Sequence, residues 1–227
     1  MQIKNCNNVD DFRKMAKSRL PSPLFHYIDG GADDELTLKR NTKAYDDYFL
    51  VPNGLSDVAN INLSTKILGQ KVNSPLFLAP SGMNRLFHHD GERATSRAAE
   101  KYGNYYSLST LSSVSIEEIG KLTKSPKMFQ IYIHKDRALT YELIDRCKKA
   151  NFTSLCLTID TIVAGNRERD LRTGMTMPPK FTLASLFSFG MRPRWVFNYL
   201  THESFKLANL EGKIEKGTKE SISVIDY

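Results

Sequence analysis

Four polar side chains stand near the ends of two apolar runs. Gln130 and Tyr132 lie in the run 128–133, and Thr158 and Asp160 in the run 154–160. In an extended chain, residues two apart share a face, so each pair projects together. An amide, a phenol, a hydroxyl and a carboxylate on one side are costly to bury unless they hold a polar ligand or satisfy one another. The sequence leaves both readings open. Just beyond the second run comes Gly165-Asn166-Arg167-Glu168-Arg169-Asp170. The planar fork of Arg167 has the shape to clamp a carboxylate at both oxygens. Alternating charge is also the mark of a solvated loop. Pro80-Ser81-Gly82 closes an earlier run, and a glycine there lets a flat ligand approach the backbone.

The five histidines add little. His88 and His89 are adjacent, so their rings are expected to point apart, and no third ligand is obvious. They read as a surface loop, and no metal site is expected. His26, His134 and His202 have no serine, cysteine or carboxylate partner at a recognised spacing. No phosphate-binding P-loop, dinucleotide glycine motif or zinc spacing is present.

The elements that must position these groups follow a regular alternation. Apolar runs at 76–80, 105–109, 128–133 and 154–160 are separated by helical patterns, and each run ends in small or polar residues. This is the grammar of a (β/α)8 TIM barrel, whose chemistry sits at the carboxyl ends of its strands. Such a barrel needs about 250 residues. The chain has 227 and shows the amino-terminal helices plus about four βα units. The expected division is 1–74 for the helices and lead-in, 75–175 for the four units, and 176–227 for a segment that breaks the alternation.

Helices are expected at 9–20, from about Leu24, and from Glu35 to Tyr45 with Asp33 or Asp34 as cap. In the helix opening at Asp90, Ala94, Ala98 and Tyr102 form the expected inward stripe, with Gly103 as C-cap. Ser115 to Glu118 fits a capping box. Behind Asp136, the residues Leu139, Leu143 and Cys147 share one face. The stretch before Ser74 reads as irregular, with a turn at Gly69-Gln70.

A hydrophobic share of 41% and a charged share of 25% exclude a disordered chain. The net charge of +7 favours anionic partners: a carboxylate or phosphate ligand, an acidic membrane surface or nucleic acid. Scattered lysines and arginines without a binding motif argue against nucleic acid. Cys6, Cys147 and Cys156 are odd in number and form no CxxC pair, as expected of reduced thiols in the cytoplasm. The amino terminus lacks the pattern of a secretory signal, and no apolar run approaches the ~20 residues of a membrane span. Residues 181–200 are aromatic and basic, with Trp195, Tyr199, Arg192 and Arg194. Two readings are open: attachment to a membrane surface, or short ordered elements covering a barrel or subunit contact.

Several ordered blocks together resemble the FMN-dependent α-hydroxy acid dehydrogenases and oxidases. They are Tyr27-Ile28-Asp29-Gly30-Gly31-Ala32-Asp33-Asp34-Glu35, Leu78-Ala79-Pro80-Ser81-Gly82-Met83, Phe129-Gln130-Ile131-Tyr132 and Leu157-Thr158-Ile159-Asp160-Thr161. The block 165–172 and the aromatic segment after it look most like the bacterial L-lactate dehydrogenase branch. By that resemblance Pro80, Ser81, Gly82, Ser109, Gln130 and Thr158 contact FMN. Tyr27, Tyr132 and Arg167 hold the oxygens of a small 2-hydroxy acid. Asp160 matches the carboxylate that orients the family's catalytic histidine.

The resemblance further implies oxidation of an L-2-hydroxy acid, with lactate going to pyruvate, and electrons passing to a quinone, a cytochrome or oxygen. It implies a homo-oligomer at full length, in the cytoplasm or peripheral on the inner face of the cell membrane. Leu111 stands where the family often has a bulky aromatic, which leaves substrate size open. None of the five histidines occupies the catalytic position. The catalytic histidine, a flavin-neighbouring lysine, a second substrate arginine and the flavin-phosphate site are expected in a half that would follow Tyr227. The chain is therefore expected not to complete catalysis alone. The alternative is an inactive remnant, or half of a split protein that binds a complementary fragment.

Overall fold

The structure is a computed structural model that describes residues 2–160, 163–176 and 178–211. It divides into two compact units. One comprises Met1–Ser56 with Ala164–Glu203, and the other Asp57–Val163 with Ser204–Tyr227.

In the first unit, helix α1 (Val9–Arg19) is capped by Asn8, whose side chain accepts the Asp11 N–H at 2.9 Å. Acidic residues in its first turn and Lys17 and Arg19 in its last complement the helix dipole. Pro21 ends it, and α2 (Ser22–Asp29) follows with a proline in its first turn. Met15, Leu20, Leu24 and Phe25 are the buried apolar residues here. Helix α3 (Leu36–Lys43) starts from Glu35 in the left-handed region at φ 58°. The aspartate cap expected at 33 or 34 is not used. Asp33 instead accepts from the Asn166 side chain at 3.0 Å, and the Glu35 carboxylate accepts the Gly31 N–H at 3.0 Å.

The second unit opens with an antiparallel hairpin, β1 (Thr65–Ile67) and β2 (Gln70–Val72), where the sequence suggests irregular chain. Its two-residue turn is Leu68-Gly69, with φ of 50° and 77°, both positive as a type I′ turn requires. A parallel sheet then forms in chain order: β3 (Phe77–Leu78), β4 (Tyr105–Ser109), β5 (Lys127–Ile131) and β6 (Ser154–Leu157). The helices between are α4 (Gly91–Tyr102), α5 (Ile116–Leu122) and α6 (Arg137–Lys149). Adjacent strands in sequential order, each joined by a helix, are the repeating unit of a βα barrel, here with an open sheet.

Strand alternation divides the sheet into two faces. Tyr106, Leu108, Phe129 and Ile131 pack with Ile116 and Ile119 of α5 and with Leu139, Leu143 and Cys147 of α6. The opposite face carries Tyr105 and Met128, which pack with Val72 of the hairpin. On β6, Leu155 and Leu157 pair in register with Phe129 and Ile131 yet remain 44% and 52% exposed. The α4 stripe differs from expectation. Ala98 and Tyr102 are exposed, and Glu92, Ser96 and Ala99 are buried. The helix turns a carboxylate inward because loop amides are there to receive it. The expected caps at Gly103 (φ 66°) and Ser115 form, and Asp136 caps α6 by accepting the Ala138 N–H.

Returning to the first unit, α7 (Glu168–Thr173) packs on α2, and α8 (Leu183–Gly190) and α9 (Pro193–Thr201) complete it. Arg13 and Arg169 both bind the Asp29 carboxylate, and Arg169 also reaches Glu35. Phe181, Phe189, Trp195 and Tyr199 form a chain of ring contacts. No helix among the described residues is long and apolar enough to cross a membrane.

Candidate active site

The carboxyl ends of β4, β5 and β6 bring Ser109, Gln130 and Thr158 into one hydrogen-bonded row. The Ser109 hydroxyl donates to Gln130 Oε1 at 3.0 Å, and Gln130 Nε2 donates to Thr158 Oγ1 at 2.5 Å. The Thr110 N–H also reaches Gln130 Oε1, at 3.3 Å. The parallel register makes this possible by pairing Ser109 with Gln130 and Gln130 with Cys156, two residues before Thr158. Ser109 and Gln130 are each 5% exposed, so the row is a built feature that satisfies its own members.

Tyr132 continues the β5 column on the same side as Gln130 and is half-buried. Burial is the main cause that raises its phenol above the usual range. The Asp160 charge adds to the rise, and a hydrogen bond with Gln130 opposes it. The hydroxyl therefore remains a protonated donor throughout the neutral range. Asp160 is exposed at the end of the β6 segment. All four polar groups singled out in the two runs thus gather at one end of one sheet.

Pro80, Ser81 and Gly82 follow β3. The Ser81 hydroxyl accepts from the Asn84 side chain at 3.1 Å. The bare face of Gly82 is turned toward Leu111, where an added Cβ would lie 3.0 Å from the Leu111 Cβ and 3.1 Å from its carbonyl oxygen. This glycine thus serves the close packing of two loops.

Tyr27 and Arg167 belong to the helical unit and meet there. The guanidinium lies 5.3 Å from the tyrosine ring centre and donates to the Tyr27 carbonyl. It also donates to the Gly30 carbonyl at 3.1 Å and to Asp170 at 2.5 Å. The fork expected to clamp a carboxylate is engaged by the protein through one N–H on each of its three nitrogens, which leaves two of its five donors for an anion.

His88 and His89 do not point apart. Their rings stack at 4.2 Å, and with Asp90 their ligand atoms lie within 4.8 Å of one another. Asp90 Oδ2 is paired with Arg97 at 3.1 Å, and His88 Nδ1 accepts the Asp90 N–H at 3.2 Å. Sequence reasoning missed Glu92, which is fully buried and accepts N–H bonds from two loops. Its only sequence signal is its place in the first turn of a helix directly after a βα loop.

The residues at the strand ends fit FMN. The pyrimidine edge of an isoalloxazine presents carbonyl acceptors and an N–H donor, and a row of hydroxyl, amide and hydroxyl can meet both kinds. Comparison with known proteins agrees. The profile of the FMN-dependent dehydrogenase family matches residues 16–225. An L-lactate oxidase from Nostoc is 43% identical over 79% of this chain and 50% of its own length. An L-lactate dehydrogenase from Vibrio parahaemolyticus is 39% identical over 83% of this chain and 49% of its own. The solved (S)-mandelate dehydrogenase, described as a monotopic membrane protein, superposes with a TM-score of 0.86 at 32% identity. That superposition covers 96% of this chain and 58% of the dehydrogenase. The chain spans about half the length of the curated relatives it matches. Because one profile accounts for nearly all of its residues, the chain belongs to the FMN-dependent dehydrogenase family.

Proposed function

We propose that this chain supplies the amino-terminal share of a site that oxidises an L-2-hydroxy acid, with L-lactate going to pyruvate. The observation that carries the reading is the buried Ser109–Gln130–Thr158 row at the strand ends. In the proposal these three residues and the Pro80-Ser81-Gly82 loop hold FMN. Bound FMN would supply the acceptor for the hydride equivalent of the substrate Cα–H bond, that is, its hydrogen together with the two bonding electrons. Tyr132, kept protonated by burial, donates a hydrogen bond to a substrate oxygen. Tyr27 and Arg167 supply further donors for its carboxylate. Asp160 orients a proton acceptor that is not among the residues assigned here, and that acceptor takes the hydroxyl proton. A quinone, a cytochrome or oxygen then removes the electrons.

The test is the visible spectrum of the purified chain with added FMN, alone and co-expressed with the carboxyl-terminal half of a relative. Flavin uptake and its bleaching by L-lactate without oxygen, in the co-expressed sample alone, is the expected result. Absence of flavin in both samples would leave the remnant as the better reading.

A second reading concerns residues 181–200, which we propose as a membrane-surface segment. Leu183, Leu186, Phe187, Phe197 and Leu200 are exposed, at 53–86%, and the (S)-mandelate dehydrogenase is described as a monotopic membrane protein. Of the two arginines in the segment, Arg192 donates to the Leu20 carbonyl at 3.1 Å, leaving Arg194 as the better placed for lipid headgroups. Co-sedimentation with anionic vesicles that is lost in Phe187→Ser/Phe197→Ser would support it, and sedimentation unchanged by the pair would refute it.

A further inference from the structure

We propose that Glu92 is a positioning residue that clamps the two loops following β3 and β4 at a fixed spacing. The proposal rests on the assignment of FMN to those loops. Glu92 is 0% exposed and occupies the second position of α4. Its Oε1 accepts the backbone N–H of Asn84 at 3.2 Å and that of Ser113 at 3.0 Å, with the Ser113 hydroxyl at 3.4 Å. Asn84 lies two residues beyond Gly82, and Ser113 four residues beyond Ser109. One oxygen therefore joins the segment that carries Pro80, Ser81 and Gly82 to the segment that carries Ser109.

Independent contacts show that the spacing is tight. The Met83 N–H donates to the Leu111 carbonyl at 2.9 Å, and the Arg85 N–H donates to the Ser113 hydroxyl at 3.0 Å. A Cβ added at Gly82 would press on Leu111, at 3.0 Å from its Cβ and 3.1 Å from its carbonyl oxygen.

The chemistry explains why a carboxylate stands where a helix usually buries an apolar group. Neither the Asn84 nor the Ser113 N–H has a ladder or helix partner, and a buried N–H without an acceptor is costly. An acidic oxygen accepts both at once, and the first turn of α4 favours negative charge. Among the described residues Oε2 is buried without a hydrogen-bond partner, so Oε1 is the oxygen that carries the joint.

The test uses the 227-residue chain, its Glu92→Gln and Glu92→Leu variants, and Leu143→Ala as a core mutant remote from both loops. Amide hydrogen exchange is read on the chain at Asn84 and Ser113, and FMN affinity on the same chains co-expressed with the carboxyl-terminal half of a relative, by quenching of flavin fluorescence. In the unaltered chain both amides should exchange as slowly as those of β4; exchange as fast as exposed loop amides overturns the clamp without any variant. Glu92→Gln keeps an acceptor and should hold both amides within about 3-fold, whereas Glu92→Leu should speed them about 10-fold or more. Glu92→Leu should also weaken FMN binding beyond Leu143→Ala; equal weakening in the two, or unchanged binding with both amides released, overturns the positioning role. If the unaltered chain co-expressed with the carboxyl-terminal half of a relative takes up no FMN, the functional reading fails, and exchange at the two amides alone decides the clamp.

Discussion

In the helical unit a half-buried carboxylate, Asp29, is answered by two guanidinium groups from Arg13 and Arg169. In the sheet unit a fully buried carboxylate, Glu92, is answered by backbone N–H groups, and the polar row at the strand ends is neutral. The difference follows from water. Near a surface, charges can pair at small cost because solvent still screens and hydrates them. In the buried interior of the sheet unit, oriented N–H dipoles and uncharged amides avoid the penalty of bringing in a second ion. The first arrangement fixes helices that carry Tyr27 and Arg167, and the second fixes strand ends and loops.

The comparison can be broken hardest at the sheet core. Phe129→Ala in β5 removes a ring with no exposed surface and should cost about 3–5 kcal/mol, read from urea unfolding. Met15→Ala in α1 should fall at the low end of about 2–5 kcal/mol, because its site is nearer the surface and can relax. The neutral row is next. Gln130→Leu leaves the Ser109 and Thr158 hydroxyls without the amide and should cost about 1–3 kcal/mol. Flavin uptake should disappear with it. Raising salt should leave that value unchanged while shrinking the effect of Arg169→Ala, since only the ionic network is screened.

Acid separates the two units by sign. The hydrogen bond from Arg13, reinforced by Arg169, holds Asp29 below the usual carboxylate range against the opposing effect of burial. A depressed carboxyl stabilises above its ordinary value, and that contribution is lost as pH falls through the depressed one. Burial raises Glu92, so its contribution is full below the ordinary glutamate value and is lost as pH rises through the raised one. Below about pH 4, amide exchange in 168–173 should speed up while that of Asn84 and Ser113 does not. The smallest expected effect is a gain: Leu68→Asn puts a residue that tolerates φ 50° into the hairpin turn and should add about 0.5–1 kcal/mol, read as a higher melting temperature.

Legibility followed burial. Strand β4 matches its apolar run residue for residue, because it is buried along its whole length. At the sheet margins the runs overshoot: β3 keeps only Phe77–Leu78 of 76–80, and β6 stops at Leu157, since pairing on one side sustains less strand. The hairpin was hidden because Leu68 is not a turn residue by type. The α4 stripe failed because a buried glutamate and serine look like a solvent face to any count of apolar spacing. At the site, period two placed Gln130 beside Tyr132 and Thr158 beside Asp160. That Gln130 bridges hydroxyls on both neighbouring strands depends on register, which no local pattern carries. Arg167 was legible as a fork, and its engagement with Asp170, Gly30 and Tyr27 was not.

The exposed leucines of β6 bear on how the chain behaves in a crowded solution. Residues 152–159, Phe152-Thr153-Ser154-Leu155-Cys156-Leu157-Thr158-Ile159, contain no charge, proline or glycine. Among the described residues β6 is hydrogen-bonded to β5 alone, so it presents a sheet edge together with a row of open apolar side chains. Such a segment is a template for cross-β stacking, and Asp160 is the nearest charge that opposes it. The same short stretch that sets Thr158 into the polar row is thus the part of the chain with most to gain from a chaperone.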